Sequence, residues 1–271
     1  MKEYDKYLKL LKEKYPTKQS VYRELINLNA IMNLPKGTEH FMSDLHGEYD
    51  AFYHIINNCS GVIREKVAML YGDELTVYEQ QELCTLIYYP REKLSILMDE
   101  NKVNDEWYRN VLNQLIQIAK LLSSKYTRSK VRKAMPVDFA YIIDELIHAQ
   151  KDEDDNRSVY HRQIMETILS LHNGDEFLVA LTDLIKRLAV DHLHILGDIY
   201  DRGSHADKIL DLLMEHHSVD IQWGNHDILW MGAFCGNPVC MALVVRNNIK
   251  YKTMSILENG YGISLRFLLQ F

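Results

Sequence analysis

The sequence predicts an α/β fold carrying a large all-α insertion, and three observations lead there. A short apolar run, His40-Phe41-Met42, follows a Leu34-Pro35-Lys36-Gly37 turn and reads as a strand ending at Ser43. From about residue 50 to 188 nearly every segment has helical period and helix-forming composition. After Leu188 the pattern becomes strand, loop, helix, strand, loop, helix, the rhythm of a parallel sheet.

Along the chain, residues 3–14 and 20–33 read as amphipathic helices separated by Pro16, with Tyr4, Tyr7, Leu8 and Leu11 recurring at helical spacing. In the helical region the strongest periods run over 103–124 and 157–172. The acidic run from Asp152 to Asp155 has no turn glycine or spaced ligands and reads as an interhelical loop. Strands follow at His192 to Leu196 and Val219 to Trp223, with a helix at about 205–217 between them. Beyond Asp227 the chain reads as helical to about 248, broken by Gly236-Asn237-Pro238. Three units follow: 1–50, helices plus first strand; 51–188, the helical insertion; 189–271, the α/β core, expected to continue beyond the chain end.

Composition limits the function classes. Apolar residues make up 47% and charged residues 25% of 271, so the chain can bury enough surface to offset its ordering entropy. A formal charge of −7 argues against a general nucleic-acid binder, which needs surplus Lys and Arg on one face. No stretch approaches the roughly 18 apolar residues of a membrane span, and the charged N-terminus lacks a signal-peptide run, so a cytoplasmic protein is expected. Cys59, Cys84, Cys235 and Cys240 show neither CxxC spacing nor disulfide density and read as reduced core thiols.

Three blocks carry chemistry. Ser43-Asp44-Leu45-His46-Gly47 sits where the first strand ends, and Asp44 and His46, two apart, can aim an oxygen and a nitrogen at one point. Its plainer reading is a turn in which Asp44 caps a helix beginning near Glu48. Gly197-Asp198-Ile199-Tyr200-Asp201-Arg202-Gly203 follows the second strand, where open α/β sheets place their ligands. The alternative is a surface turn in which Arg202 neutralises Asp201. Gly224-Asn225-His226-Asp227 follows the third strand: Asn225 supplies a neutral oxygen, His226 a titratable nitrogen, and Asp227 can cap the next helix. Three strand ends thus deliver metal ligands to one sheet edge.

In this order, D-x-H-G, G-D-x-x-D-R-G and G-N-H-D resemble the first three motifs of the calcineurin-like metallophosphoesterases. The N-terminal helices, the readings HFMSDLHGEYDAF and HLHILGDIYDRG, and the insertion resemble the bacterial class III fructose-1,6-bisphosphatases more closely. Asp44 and Asp198 are 154 residues apart, whereas one βαβ crossover takes about 30. That spacing separates the chain from the Ser/Thr protein phosphatases.

The resemblance implies a two-sheet sandwich, incomplete in this chain. It implies two divalent metal ions, manganese above all, with Asp44 and His46 on one, Asp198 bridging both and Asn225 on the second. Arg202 would clamp phosphate, and His226, oriented by Asp201, would protonate the leaving alkoxide. The implied reaction is hydrolysis of fructose 1,6-bisphosphate in gluconeogenesis. Alternatives are a protein or dinucleotide phosphatase, or an inactive fragment acting as a scaffold. A homo-oligomer is also compatible.

The family adds later histidines, whereas all twelve here lie at or before His226. The chain is therefore expected to be an N-terminal portion with an exposed sheet face, binding metal weakly and hydrolysing little alone. His192 and His194 could form a metal pair but read as packing histidines, and His216 and His217 as surface residues on a helix C-terminus.

Overall fold

The computed structural model describes residues 2–149, 155–266 and 270. Helices α1 (Lys2–Lys14) and α2 (Lys18–Ile31) lead into strand β1 (Glu39–Met42) and helix α3 (Tyr49–Asn58). The insertion continues with α4 (Val62–Tyr71), α5 (Val77–Tyr88), α6 (Pro90–Asp99), α7 (Asp105–Ser123), α8 (Arg128–Ala134), α9 (Ala140–Ile147), α10 (Asp155–Ser170) and α11 (Gly174–Ala189). Strand β2 (His192–Ile195), α12 (Ala206–Glu215), β3 (Val219–Ile221), α13 (Asn225–Phe234) and α14 (Pro238–Tyr251) complete a mostly helical α/β arrangement.

Helix boundaries follow local chemistry. Thr76 starts α5 with a reciprocal cap, its Oγ1 accepting from Glu79 N (3.2 Å) while Glu79 Oε2 accepts from Thr76 N (2.8 Å). Asn104 Oδ1 accepts from Trp107 N at 2.8 Å to start α7. In α7 the buried positions Val111, Leu112, Leu115, Ile118, Ala119 and Leu122 recur at helical spacing and face Phe177, Leu181, Leu184 and Leu188 of α11. Burying each Val, Leu, Ile or Phe side chain among these contributes about 1.5–3 kcal/mol, so this helix pair anchors the insertion.

The three strands are parallel in the order β1-β2-β3, with Phe41 opposite His194 and His194 opposite Asp220. One face packs Leu193 and Ile195 against Phe52 of α3, Ile209 and Leu213 of α12, and Val244 of α14. This apolar cluster is separate from that of the insertion. The other face is open: Phe41 is 62% exposed. The insertion is tied to the sheet's base, where Asp191 N donates to Thr38 O (2.8 Å) and Lys130 Nζ reaches Asp191 (2.7 Å).

Some expectations need correction. His216 is half-buried, with burial lowering its pKa to about 4, whereas His217 is exposed as expected, its Nε2 3.0 Å from Val190 O. Cys59 and Cys84 are core thiols, but Cys235 is exposed and Cys240 half-buried. Helices α1 and α2 keep apolar residues such as Tyr7, Leu10, Leu25 and Ile26 exposed. Asp152 to Asp154 lie outside the described residues. No helix among the described residues is long and apolar enough to cross a membrane.

Candidate metal centre

The loops after β1 and β2 are stitched together backbone to backbone. Asp44 N donates to Gly197 O (3.1 Å), His46 N to Asp198 O (2.8 Å), Gly47 N to Ile199 O (2.8 Å), and Gly203 N to His46 O (2.6 Å). Both loops depart from extended geometry, with positive φ at Asp44 (55°), His46 (46°), Asp198 (55°), Asp201 (64°) and Arg202 (77°). A left-handed residue other than glycine costs about 1–2 kcal/mol, so five in two adjoining loops mark stored strain at one place. Gly47, at φ 69°, passes so close to Gly203 that a Cβ would meet its carbonyl oxygen at 2.5 Å.

Asp44, His46 and Asp198 converge, each offering one ligand atom within 4.8 Å of the others. His46 is buried, and its Nδ1 lies 3.0 Å from Tyr200 O. A carbonyl oxygen only accepts, so Nδ1 carries the proton and Nε2 presents a lone pair. Nε2 is buried, has no hydrogen-bond partner among the described residues, and stands 3.6 Å from Asp44 Oδ1. An orphaned buried nitrogen between two carboxylates fits a divalent cation: desolvation with no compensating partner otherwise costs about 1–3 kcal/mol, and the O,N,O set suits manganese, iron, zinc or magnesium. Asp44 does not cap α3, whose start has no side-chain cap among the described residues.

The third loop locks the arrangement. Helix α13 starts directly under Asp198, and His226 N in its first turn donates to Asp198 Oδ1 at 3.1 Å. A Cβ on Gly224 would collide with that same carboxylate. Asp227, 5% exposed, does more than serve its own helix. Its Oδ2 accepts from Gly224 N and Asp198 N (both 2.8 Å), its Oδ1 from Ile199 N (2.9 Å) and Tyr200 N (3.2 Å), so it clamps the second loop in its strained path.

Asp201 is buried and receives three donors: His226 Nδ1 (2.7 Å), Asn247 Nδ2 (2.7 Å) and Trp230 Nε1 (3.1 Å). An ionised carboxylate only accepts, so His226 carries its proton on Nδ1 and leaves Nε2 free. The His226 ring meets His46 edge-on, centroids 5.4 Å apart. Tyr200 stacks on Trp230 at 4.4 Å and bonds Tyr261 at 2.8 Å, walling Asp201 from water; burial raises the pKa of both tyrosines.

Two residues singled out in the sequence stand apart. Arg202 is exposed and makes no ion pair with Asp201, which rules out the simple neutralised turn. Asn225 is exposed at the first position of α13, next to His226, and its side chain makes no hydrogen bond among the described residues. Sequence reading missed Trp230 and Asn247. Trp230 could have been found, because it lies four residues from His226 on the same helical face; Asn247, on the next helix, carried no signal.

A sequence profile described as Firmicute fructose-1,6-bisphosphatase matches residues 6–271. The chain is 54% identical to fructose-1,6-bisphosphatase class 3 1 of Clostridium beijerinckii, over 98% of this chain and 41% of that protein. A class 3 fructose-1,6-bisphosphatase of Listeria monocytogenes is also 54% identical, with the same coverages. That of Clostridium acetobutylicum is 54% identical over 96% of this chain and 39% of its own. The chain therefore spans about two fifths of the length of these relatives. No solved structure matches it.

Proposed function

Because the chain belongs to the Firmicute fructose-1,6-bisphosphatase family, we propose that its loop-tip centre serves the hydrolysis of fructose 1,6-bisphosphate to fructose 6-phosphate and phosphate, a gluconeogenic step. The observation that carries this reading is His46 Nε2, buried, without a hydrogen-bond partner among the described residues and facing Asp44 and Asp198. Asp44 and His46 would hold one divalent ion, Asp198 would bridge to a second, and Asn225 would contribute to that second ion, with manganese the preferred metal. When bound, such a pair neutralises phosphoryl oxygens and acidifies a water.

The chain's own residues supply the remainder. His226, its Nδ1 proton held by Asp201, offers Nε2 to transfer a proton to the leaving sugar oxygen. Arg202, exposed beside the centre and free of Asp201, is placed to receive a phosphate dianion. Of the domain limits 1–50, 51–188 and 189–271, the one at 188 accords with two separate apolar clusters, whereas Phe52 of α3 packs with the sheet and moves the first limit to the end of α3; a sandwich of the calcineurin-like kind accords with the open sheet face. A protein or dinucleotide phosphatase is the competing activity.

Phosphate release with Mn2+ from fructose 1,6-bisphosphate, a phosphopeptide and a diadenosine polyphosphate, compared at the low level expected of this chain alone, separates the readings. Preference for the sugar bisphosphate, abolished by Asp198→Asn, is the expected result. Preference for another substrate overturns the substrate, and release unchanged by Asp198→Asn overturns the centre. Independently, Mn2+ electron paramagnetic resonance should show weaker binding in His46→Ala.

A further inference from the structure

The open face of the sheet carries a second set of metal-competent side chains. His192 and His194 alternate on β2 and so point to the same side, and Asp220 lies opposite His194 on β3. Each offers one ligand atom within 4.8 Å of the other two. His192 Nε2 stands 3.2 Å from Asp220 Oδ2, and His194 Nδ1 stands 2.8 Å from Asp220 Oδ1. The imidazoles lie with centroids 4.5 Å apart, and Phe41 stacks on His194 at 4.4 Å. These histidines are hydrogen-bonded, as packing histidines would be, yet on the sheet face open in this chain their side chains are 29% and 22% exposed and Asp220 is 59% exposed, so an ion can reach them in this chain.

We propose that His192, His194 and Asp220 form a binding site for one borderline divalent transition ion of the zinc class, distinct from the loop-tip centre. Two imidazoles and one carboxylate are the protein donor set of open zinc and non-haem iron sites, with solvent completing the coordination. Bonds of about 2.0–2.2 Å to a four-coordinate ion separate neighbouring ligand atoms by roughly 3.3 Å. The observed 3.2 and 2.8 Å spacings come near that value, so small side-chain adjustments admit the ion.

Ser218 supplies the outer support such a site needs. Its Oγ is 2.6 Å from His192 Nδ1, the nitrogen turned away from Asp220. With Nε2–H donating to Asp220, the serine hydroxyl donates to Nδ1; once Nε2 gives its lone pair to a metal, the same hydroxyl rotates to accept from Nδ1–H. The ring keeps its orientation in both states. Asp220 is kept ionised by its bonds to His194 and His192, which lower its pKa. No ligand is shared with Asp44, His46 and Asp198, and His194 precedes Asp198 by four residues.

Equilibrium dialysis against Zn2+ tests the site, comparing wild type, His192→Gln/His194→Gln and Asp44→Asn/His46→Gln. The strand variant should lose one micromolar equivalent of Zn2+ that the loop-tip variant retains. In wild type, Ni2+ should broaden the imidazole resonances of His192 and His194. Zn2+ stoichiometry unchanged in the strand variant, or wild-type binding there only at millimolar Zn2+, overturns the proposal. If the double variant misfolds, Asp220→Asn decides: a tenfold or greater loss of affinity supports the site and unchanged affinity removes it. Neither result bears on the loop-tip centre, whose tests use Mn2+ and other residues.

Discussion

Asp201 Oδ2 and His226 Nδ1 are 2.7 Å apart, and the carboxylate is only 3% exposed. The pair fixes one imidazole tautomer, with Nε2 turned outward. In Asp201→Asn the amide can offer an NH2 where His226 needs an acceptor, so the tautomer is no longer held. We expect turnover on the proposed substrate to fall by about 10²–10⁴-fold, the size of a lost, correctly oriented proton-transfer group. Imidazole 15N shifts should show the Nδ1–H form in wild type and a mixture in the variant.

Asp227→Asn should destabilise the fold by about 3 kcal/mol, because two of four charge-assisted bonds are lost and an amide NH2 then faces backbone donors. A urea titration should show a lower midpoint. Since those donors shape the loop bearing Asp198, Mn2+ affinity should fall as well.

Gly47 and Gly236 both have positive φ, but only Gly47 is in a crowded place. Gly236→Ala should cost about 1 kcal/mol, the left-handed penalty alone. Gly47→Ala adds a collision with the Gly203 carbonyl and should cost about 3 kcal/mol or more. Melting temperatures of the two variants should separate accordingly.

Stability should fall with acid in a window set by His216 and His40. Burial lowers the pKa of both below the ordinary 6.5, that of His216 to about 4. The unfolded chain therefore takes up protons first as pH drops from about 6.5, and stability is lost until the folded-state values are passed. Partial exposure limits the His216 share to about 2 kcal/mol. Unfolding free energy measured from pH 7 to 4 should flatten in His216→Gln.

The helices and strands were legible because their signals are local. The 103–124 period became α7, and the Gly-Asn-Pro break parts α13 from α14. Strands β2 and β3 end one and two residues early, at Ile195 and Ile221, although backbone pairing continues through Leu196 and Gln222. At the centre, Asp44, His46 and Asp198 could be singled out because spacing on strand ends aims them at one point. The clamp by Asp227 could not, since its partners are backbone amides of a loop 27–29 residues away in sequence. The desolvation of His216 likewise depends on the insertion packing beside it, which no local pattern encodes.

His46 N bonds Asp198 O across more than 150 residues, and this distance bears on how the protein assembles. Closing so long a flexible loop costs about 4 kcal/mol in chain entropy, and non-local parallel pairing is slow to form. The insertion has its own apolar cluster, and Asp191, just past its end, bonds Thr38 ahead of β1. Once α7 and α11 have packed, β1 and β2 are neighbours by construction, and the long loop becomes a short one. We expect the insertion to act as a folding template for the centre. A cavity in it, such as Leu115→Ala, should slow the acquisition of metal binding during refolding, although Leu115 lies in the cluster separate from the sheet's.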